Sequence, residues 1–164
     1  MLKFFNNHPE IISIISEKKN GQMRLGGQNF LKNRKKFFDN LDIDLKDVIS
    51  ADICHGNKVE MVKNNKKKVY AKTDGLVTNK KEIILAVTVA DCLPILFFEP
   101  KNKIIGVVHA GWRGIQKNII SRIIQKIKKL GGNVENLKVE IGPGIGKCHF
   151  EVREDVAIFF SNYK

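Results

Sequence analysis

His55, Cys92 and His109 are the side chains in this sequence best suited to hold a reactive centre. Each falls where a strand-like run ends. His55 lies in the turn His55-Gly56-Asn57, Cys92 follows "TVAD" and precedes Pro94, and His109 closes "KIIGVVH". Strand ends and loops are where a rigid scaffold presents functional groups. Two imidazoles and a thiolate make a tetrahedral zinc site with one position left for water or substrate. The three lie far apart in sequence, so no local ligand pair exists. Spacing alone leaves other chemistries open: a buried, hydrogen-bonded histidine with inert core thiols, or a metal-free hydrolase with Cys92 as nucleophile and His109 as base.

Other groups flank these three. Asp74, before Gly75, is either a general acid/base or a turn residue. Asp91 precedes Cys92 and is placed to orient a ligand from behind. Arg113 stands where a helix is expected to begin, so its guanidinium and the free amides from Gly114 onward form a candidate anion site; an exposed salt bridge is the alternative. Trp112 is read as a pocket wall. Gly144 sits in the loop "GPGIG" (142–146), which either supplies amides to the pocket or is a plain tight turn. Cys54 is expected in the core, because adjacent strand residues face opposite ways. Cys148 and His149 form a second Cys-His pair that is not counted among the ligands.

These residues need strands to aim them. "VISADICHGNKVEMV" (48–62) reads as two strands around a turn, and "DGLVT" (74–78) as a short strand. "IILAVTV" (83–89), "PILFFE" (94–99) and "KIIGVVH" (103–109) are unbroken apolar runs, as in strands covered on both faces. "LKVEIG" (137–142) is another strand. A helix is expected over 29–41. A longer amphipathic one is expected over 114–130, with Ile115, Ile119, Ile120, Ile123, Ile124, Ile127 and Leu130 on one stripe and Gly131 as its cap. "REDVAIFFSNY" (153–163) begins a last helix. Strands in consecutive runs with few helices indicate an α+β fold with a mixed sheet.

Composition bounds the function. With 164 residues, 43% of them hydrophobic, the chain is expected to form one folded domain. It shows no signal-peptide pattern and no run long enough to span a membrane. Three cysteines without framework spacing suit reduced thiols, so a cytoplasmic location is expected. The net charge of +12 attracts anions. The lysines are scattered, however, and the densest run, "KNNKKK" (63–68), has no interleaved aromatics and reads as a solvated loop. No specific nucleic-acid partner is therefore expected; a basic nucleic-acid module would show strongly salt-dependent binding. Four histidines are too few for a multicopper oxidase centre.

"ADICHGNKV", "TDGLVT", "TVADCLPIL", "VVHAGWRG" and "IGPGIGKCHFEV" occur in that order. Together they closely resemble the laccase-domain family, whose members are described as multicopper polyphenol oxidoreductases, purine nucleoside phosphorylases or peptidoglycan editing factors. The resemblance implies an α/β/β/α layered fold, distantly similar to the catalytic domain of cytotoxic necrotizing factor toxins. It implies metal binding by His55, Cys92 and His109. It also implies phosphorolysis of adenosine, inosine and methylthioadenosine, with deamination of adenosine. Purine nucleosides and phosphate are then the partners, and Zn2+ the cofactor, with Cu2+ able to displace it in vitro. A Cys-His amidase acting on peptidoglycan precursors is the alternative in that family. The resemblance further implies strands, a helix and an arginine-bearing segment beyond the glycine loop. With Lys164 as the last residue, the domain is expected to lack that portion, the pocket to be open on one side, and Val156, Ile158, Phe159 and Phe160 to be under-packed.

Overall fold

A computed structural model describes residues 1–162. Its centre is a five-stranded sheet ordered β10-β8-β9-β6-β4, built from Lys138–Ile141 (β10), Leu93–Glu99 (β8), Ile104–Ala110 (β9), Gly75–Thr78 (β6) and Val59–Met61 (β4). The strand β9 runs antiparallel to both β8 and β6, whereas β4 is parallel to β6, so the sheet is mixed. A second sheet, ordered β5-β3-β7, is all parallel: Val69–Ala71 (β5), Val48–Asp52 (β3) and Ile84–Ala86 (β7). Leu2–Lys3 (β1) and Ile14–Ile15 (β2) form a small ribbon.

Three apolar clusters define four layers. Phe37 and Phe38 of helix α1 (Phe30–Asp39) pack with Val48, Ile84 and Ala86 of the parallel sheet. Ile49, Ala51, Leu76 and Val107 lie between the sheets. On the outer face of the larger sheet, Ile119, Ile123 and Ile127 of helix α3 (Ile119–Lys129) meet Val77, Ile95, Phe97 and Val108, all nearly inaccessible to water. The order is thus α/β/β/α, an α+β fold.

The period-two alternation of strands explains which groups reach the site. Along β9, Ile104, Val108 and Ala110 face α3, which leaves Val107 and His109 toward the second sheet. Along β6, Val77 faces α3 and Leu76 does not. Asp74, one step before β6, therefore points the same way as His109, and the His109 amide donates to the Asp74 carbonyl across the ladder at 2.8 Å.

Four expectations need correction. The helix over 114–130 is two, Trp112–Gln116 (α2) and α3, broken at Asn118, which takes a left-handed φ of 62°. Asparagine tolerates that conformation. The break lets Gly114 press on the Gly56 carbonyl, 2.8 Å from where a Cβ would sit, while α3 lies along the sheet. The two strands of 48–62 form, but in different sheets. The run 83–89 yields only β7, an edge strand that is half-buried. Finally, the last helix is a single turn, Glu154–Ala157 (α4), followed by a 3-10 turn, Ile158–Phe160. Position 163 of that expected helix lies outside the described residues. The lysine run 63–68 is an exposed loop.

Candidate metal centre

His55, Cys92 and His109 converge. One ligand atom from each lies within 4.8 Å of the others, and the two imidazole rings meet edge to face with centroids 4.8 Å apart. His109 is buried, Cys92 half-buried and His55 exposed. The donor set and its compactness fit a zinc-type ion with an open position.

Asp74 organises this arrangement from behind. Its side chain is inaccessible to water. Oδ1 accepts from the His55 amide at 2.8 Å and pairs with His109 Nδ1 at 3.0 Å. Oδ2 accepts from the Gly56 amide at 2.9 Å and from the Cys54 thiol at 3.2 Å. Burial alone would raise this carboxyl; the hydrogen bonds from His109, the turn amides and the Cys54 thiol outweigh it and hold it at about 2. With Nδ1 engaged, His109 has Nε2 free for an ion. The same carboxylate holds His55 at a left-handed φ of 59°. Both oxygens of Asp74 are thus engaged in hydrogen bonds.

Gly111 leaves the central space. A Cβ there would lie 3.1 Å from Cys92 Sγ and 3.4 Å from His109 Cε1. On the other side, the glycine loop is pinned to the bend that holds Cys92 and to the start of β8. Ile145 donates to the Asp91 carbonyl and Gly142 to that of Pro94, both at 2.8 Å. A Cβ on Gly144 would sit 2.9 Å from the Asp91 carbonyl oxygen. Gly144 thereby supports the Cys92 turn. The Cys92 thiol is pushed up by burial and by the carboxylates of Asp91 and Asp74.

His55, Cys92 and His109 are among the residues lining an open cleft of about 1580 Å³ between the parallel sheet, the N-terminal segment and the inner face of β8 and β9. Trp112, Arg113, Gly114 and Gly144 are not among its lining residues. The Arg113 guanidinium is exposed and stacks 4.2 Å over the Trp112 ring, and Phe159 stacks on that ring at 6.3 Å. Gly114 is buried as a packing contact. Cys54 is exposed, contrary to the core placement expected, because the turn at His55 breaks the alternation and carries its thiol to Asp74. All three cysteines are free, and Cys148 Sγ lies 3.0 Å from His149 Nδ1 in the exposed loop. Ile158 and Phe159 are exposed, as is Phe150. One group with no sequence signal also lines the cleft: Arg34, buried in α1.

A family model described as multi-copper polyphenol oxidoreductase laccase matches residues 26–164. The purine nucleoside phosphorylase YlmD of Bacillus subtilis is 35% identical over 129 residues, 73% of this chain and 46% of that protein. The purine nucleoside phosphorylase RC0672 of Rickettsia conorii is 40% identical over 112 residues, 67% of this chain and 45% of that protein. Among solved structures, YlmD from Geobacillus stearothermophilus superposes with a TM-score of 0.79 at 25% identity, over 85% of this chain and 56% of the other. The hypothetical protein YfiH of Bacillus licheniformis gives 0.77 at 31%, over 82% and 54%. The chain spans about half the length of the relatives it matches.

Proposed function

We propose that this chain, which belongs to the multi-copper polyphenol oxidoreductase laccase family, carries the metal centre of a purine nucleoside phosphorylase that also deaminates adenosine. The observation that carries the reading is the His55–Cys92–His109 cluster, held by Asp74, in a chain whose relatives bear the phosphorylase name. Zn2+ is the proposed ion, with Cu2+ able to compete for the same donors. When bound, a zinc with an open position supplies a Lewis acid and a water of lowered pKa.

The chain's own residues do the rest. Asp74 fixes the His109 tautomer and the His55 turn, Gly111 keeps the centre open, and the glycine loop steadies Cys92. In phosphorolysis the glycosidic bond breaks, phosphate oxygen bonds to the sugar carbon, and the base leaves with a proton. Arg113, exposed on Trp112, is the group of α2 proposed to meet phosphate. In deamination water adds at the purine carbon and ammonia leaves. Three free thiols suit a cytoplasmic location. We place the layered fold with that of the cytotoxic necrotizing factor catalytic domains.

A metal-free Cys92 nucleophile with His109 as its base is the rival, and metal removal separates the two. The deciding experiment incubates zinc-loaded protein with adenosine, with and without phosphate, and repeats both after chelation. Adenine formed only with phosphate, inosine formed without it, and loss of both on chelation are expected. Turnover that survives complete metal removal would sink the reading.

A further inference from the structure

Arg34 is a buried cation without a counter-charge. It sits mid-way along α1, where Lys32, Lys35 and Lys36 are exposed, yet only 5% of its surface is accessible. Nη2 donates to the Ser50 hydroxyl oxygen at 2.5 Å, and Cζ lies 5.9 Å from the Phe38 ring. Among the described residues no carboxylate forms an ion pair with it. Burial pulls its pKa down with no charged neighbour opposing the shift. Its other nitrogens are not among the fully buried unpartnered atoms and so keep contact with the cleft's water, while no protein anion compensates the charge.

Its position indicates what would compensate it. Arg34 lines the same cleft as His55, Cys92 and His109. Ser50, on β3, precedes His55 in the same stretch of chain, so the two lie within roughly 17 Å, the reach of five extended residues. The buried Ser50 hydroxyl accepts from Nη2 and holds the guanidinium from behind, leaving its other N–H groups to the cleft. A guanidinium fork with free N–H groups suits a phosphate oxoanion, which it can bind through two oxygens.

We propose that Arg34, oriented by Ser50 behind it, forms an oxoanion subsite of the cleft that takes a phosphate group, free or carried on a nucleotide. The subsite does not depend on the phosphorylase reading, because its occupancy is measured without turnover. The full chain is titrated calorimetrically in phosphate-free buffer with inorganic phosphate, adenosine 5'-monophosphate and adenosine, as wild type, Arg34→Met, Ser50→Ala and Arg113→Ala. Wild type should bind phosphate, the monophosphate or both, and which of these binds identifies the source of the group. Arg34→Met should weaken that binding about 10–100-fold, the share of a charge-assisted contact. Ser50→Ala should weaken it several-fold, and adenosine binding should stay unchanged in both. Failure of the wild type to bind either oxoanion overturns the proposal. So does wild-type affinity in a folded Arg34→Met, whatever Arg113→Ala does. If circular dichroism shows Arg34→Met unfolded, Ser50→Ala decides, and unchanged affinity there overturns it.

Discussion

Asp74, behind the His55–Cys92–His109 cluster, and Arg34, on the wall of the cleft, are both charges largely withdrawn from water, and their surroundings are opposite. Asp74 accepts hydrogen bonds from His109, from the amides of His55 and Gly56, and from the Cys54 thiol. Arg34 has one neutral oxygen. A carboxylate surrounded by donors is a structural element: it sets a histidine tautomer and a strained turn, and needs nothing further. A guanidinium with most of its donors unspent is poised for a ligand. The difference teaches how to tell a charge that builds a site from one that reads what enters it.

The comparison breaks first at Asp74. Asp74→Ala strands the His109 ring N–H and two turn amides in a buried place. The expected loss is about 3–5 kcal/mol of stability, a large share of a typical total. Metal affinity should fall as well, by about 10–100-fold, as when the partner behind a ligating histidine is removed. Denaturant unfolding and metal titration read the two effects. A variant that keeps both near wild type would show that the carboxylate is incidental.

Gly111→Ala gives a smaller and more local effect. Its backbone φ of −80° suits alanine. The added methyl would nevertheless stand 3.1 Å from Cys92 Sγ and 3.4 Å from His109 Cε1, tight enough to push a ligand by a few tenths of an ångström. About tenfold weaker metal binding, roughly 1.4 kcal/mol, is expected with the unfolding midpoint nearly unchanged. Equal affinity would mean that the centre lies farther from Gly111 than the free side chains indicate.

How much of this was readable in the chain follows from the same contrast. Strands β8 and β9 were legible as unbroken apolar runs, whereas the convergence of His55, Cys92 and His109 was legible only through the motifs that carry the resemblance, since spacing alone left other chemistries open. The isoleucine stripe of α3 was legible for its 3.6-residue period. Asn118 was not, since asparagine inside a helical pattern carries no mark of a left-handed turn. Asp74 read equally as turn residue or acid, because its partners, His55 and His109, come from other strands. Arg34 was hidden altogether. It sits in "LKNRKKFF", and a basic run on a helix reads as a solvated face; only the packing of Phe37 and Phe38 on Val48 rotates that one residue inward.

The smallest expected effect is the most discriminating. Arg34→Met replaces the guanidinium with an apolar chain of similar reach, in contact with Phe38 and beside Ser50. The hydroxyl loses a donor, but it can turn its own proton to a carbonyl or to water. Replacing an under-compensated buried ion by a hydrophobe is often neutral or stabilising. A gain of about 1 kcal/mol is therefore expected in the ligand-free protein, or roughly 2–4 °C in Tm for a chain of this size. The sign is what matters. A loss comparable to that of Asp74→Ala would make Arg34 a second structural clamp, and the distinction between a charge that builds and a charge that reads would fail at this cleft. A gain in Tm, together with lost phosphate binding, would mean that the protein tolerates an uncompensated cation for the sake of what it holds.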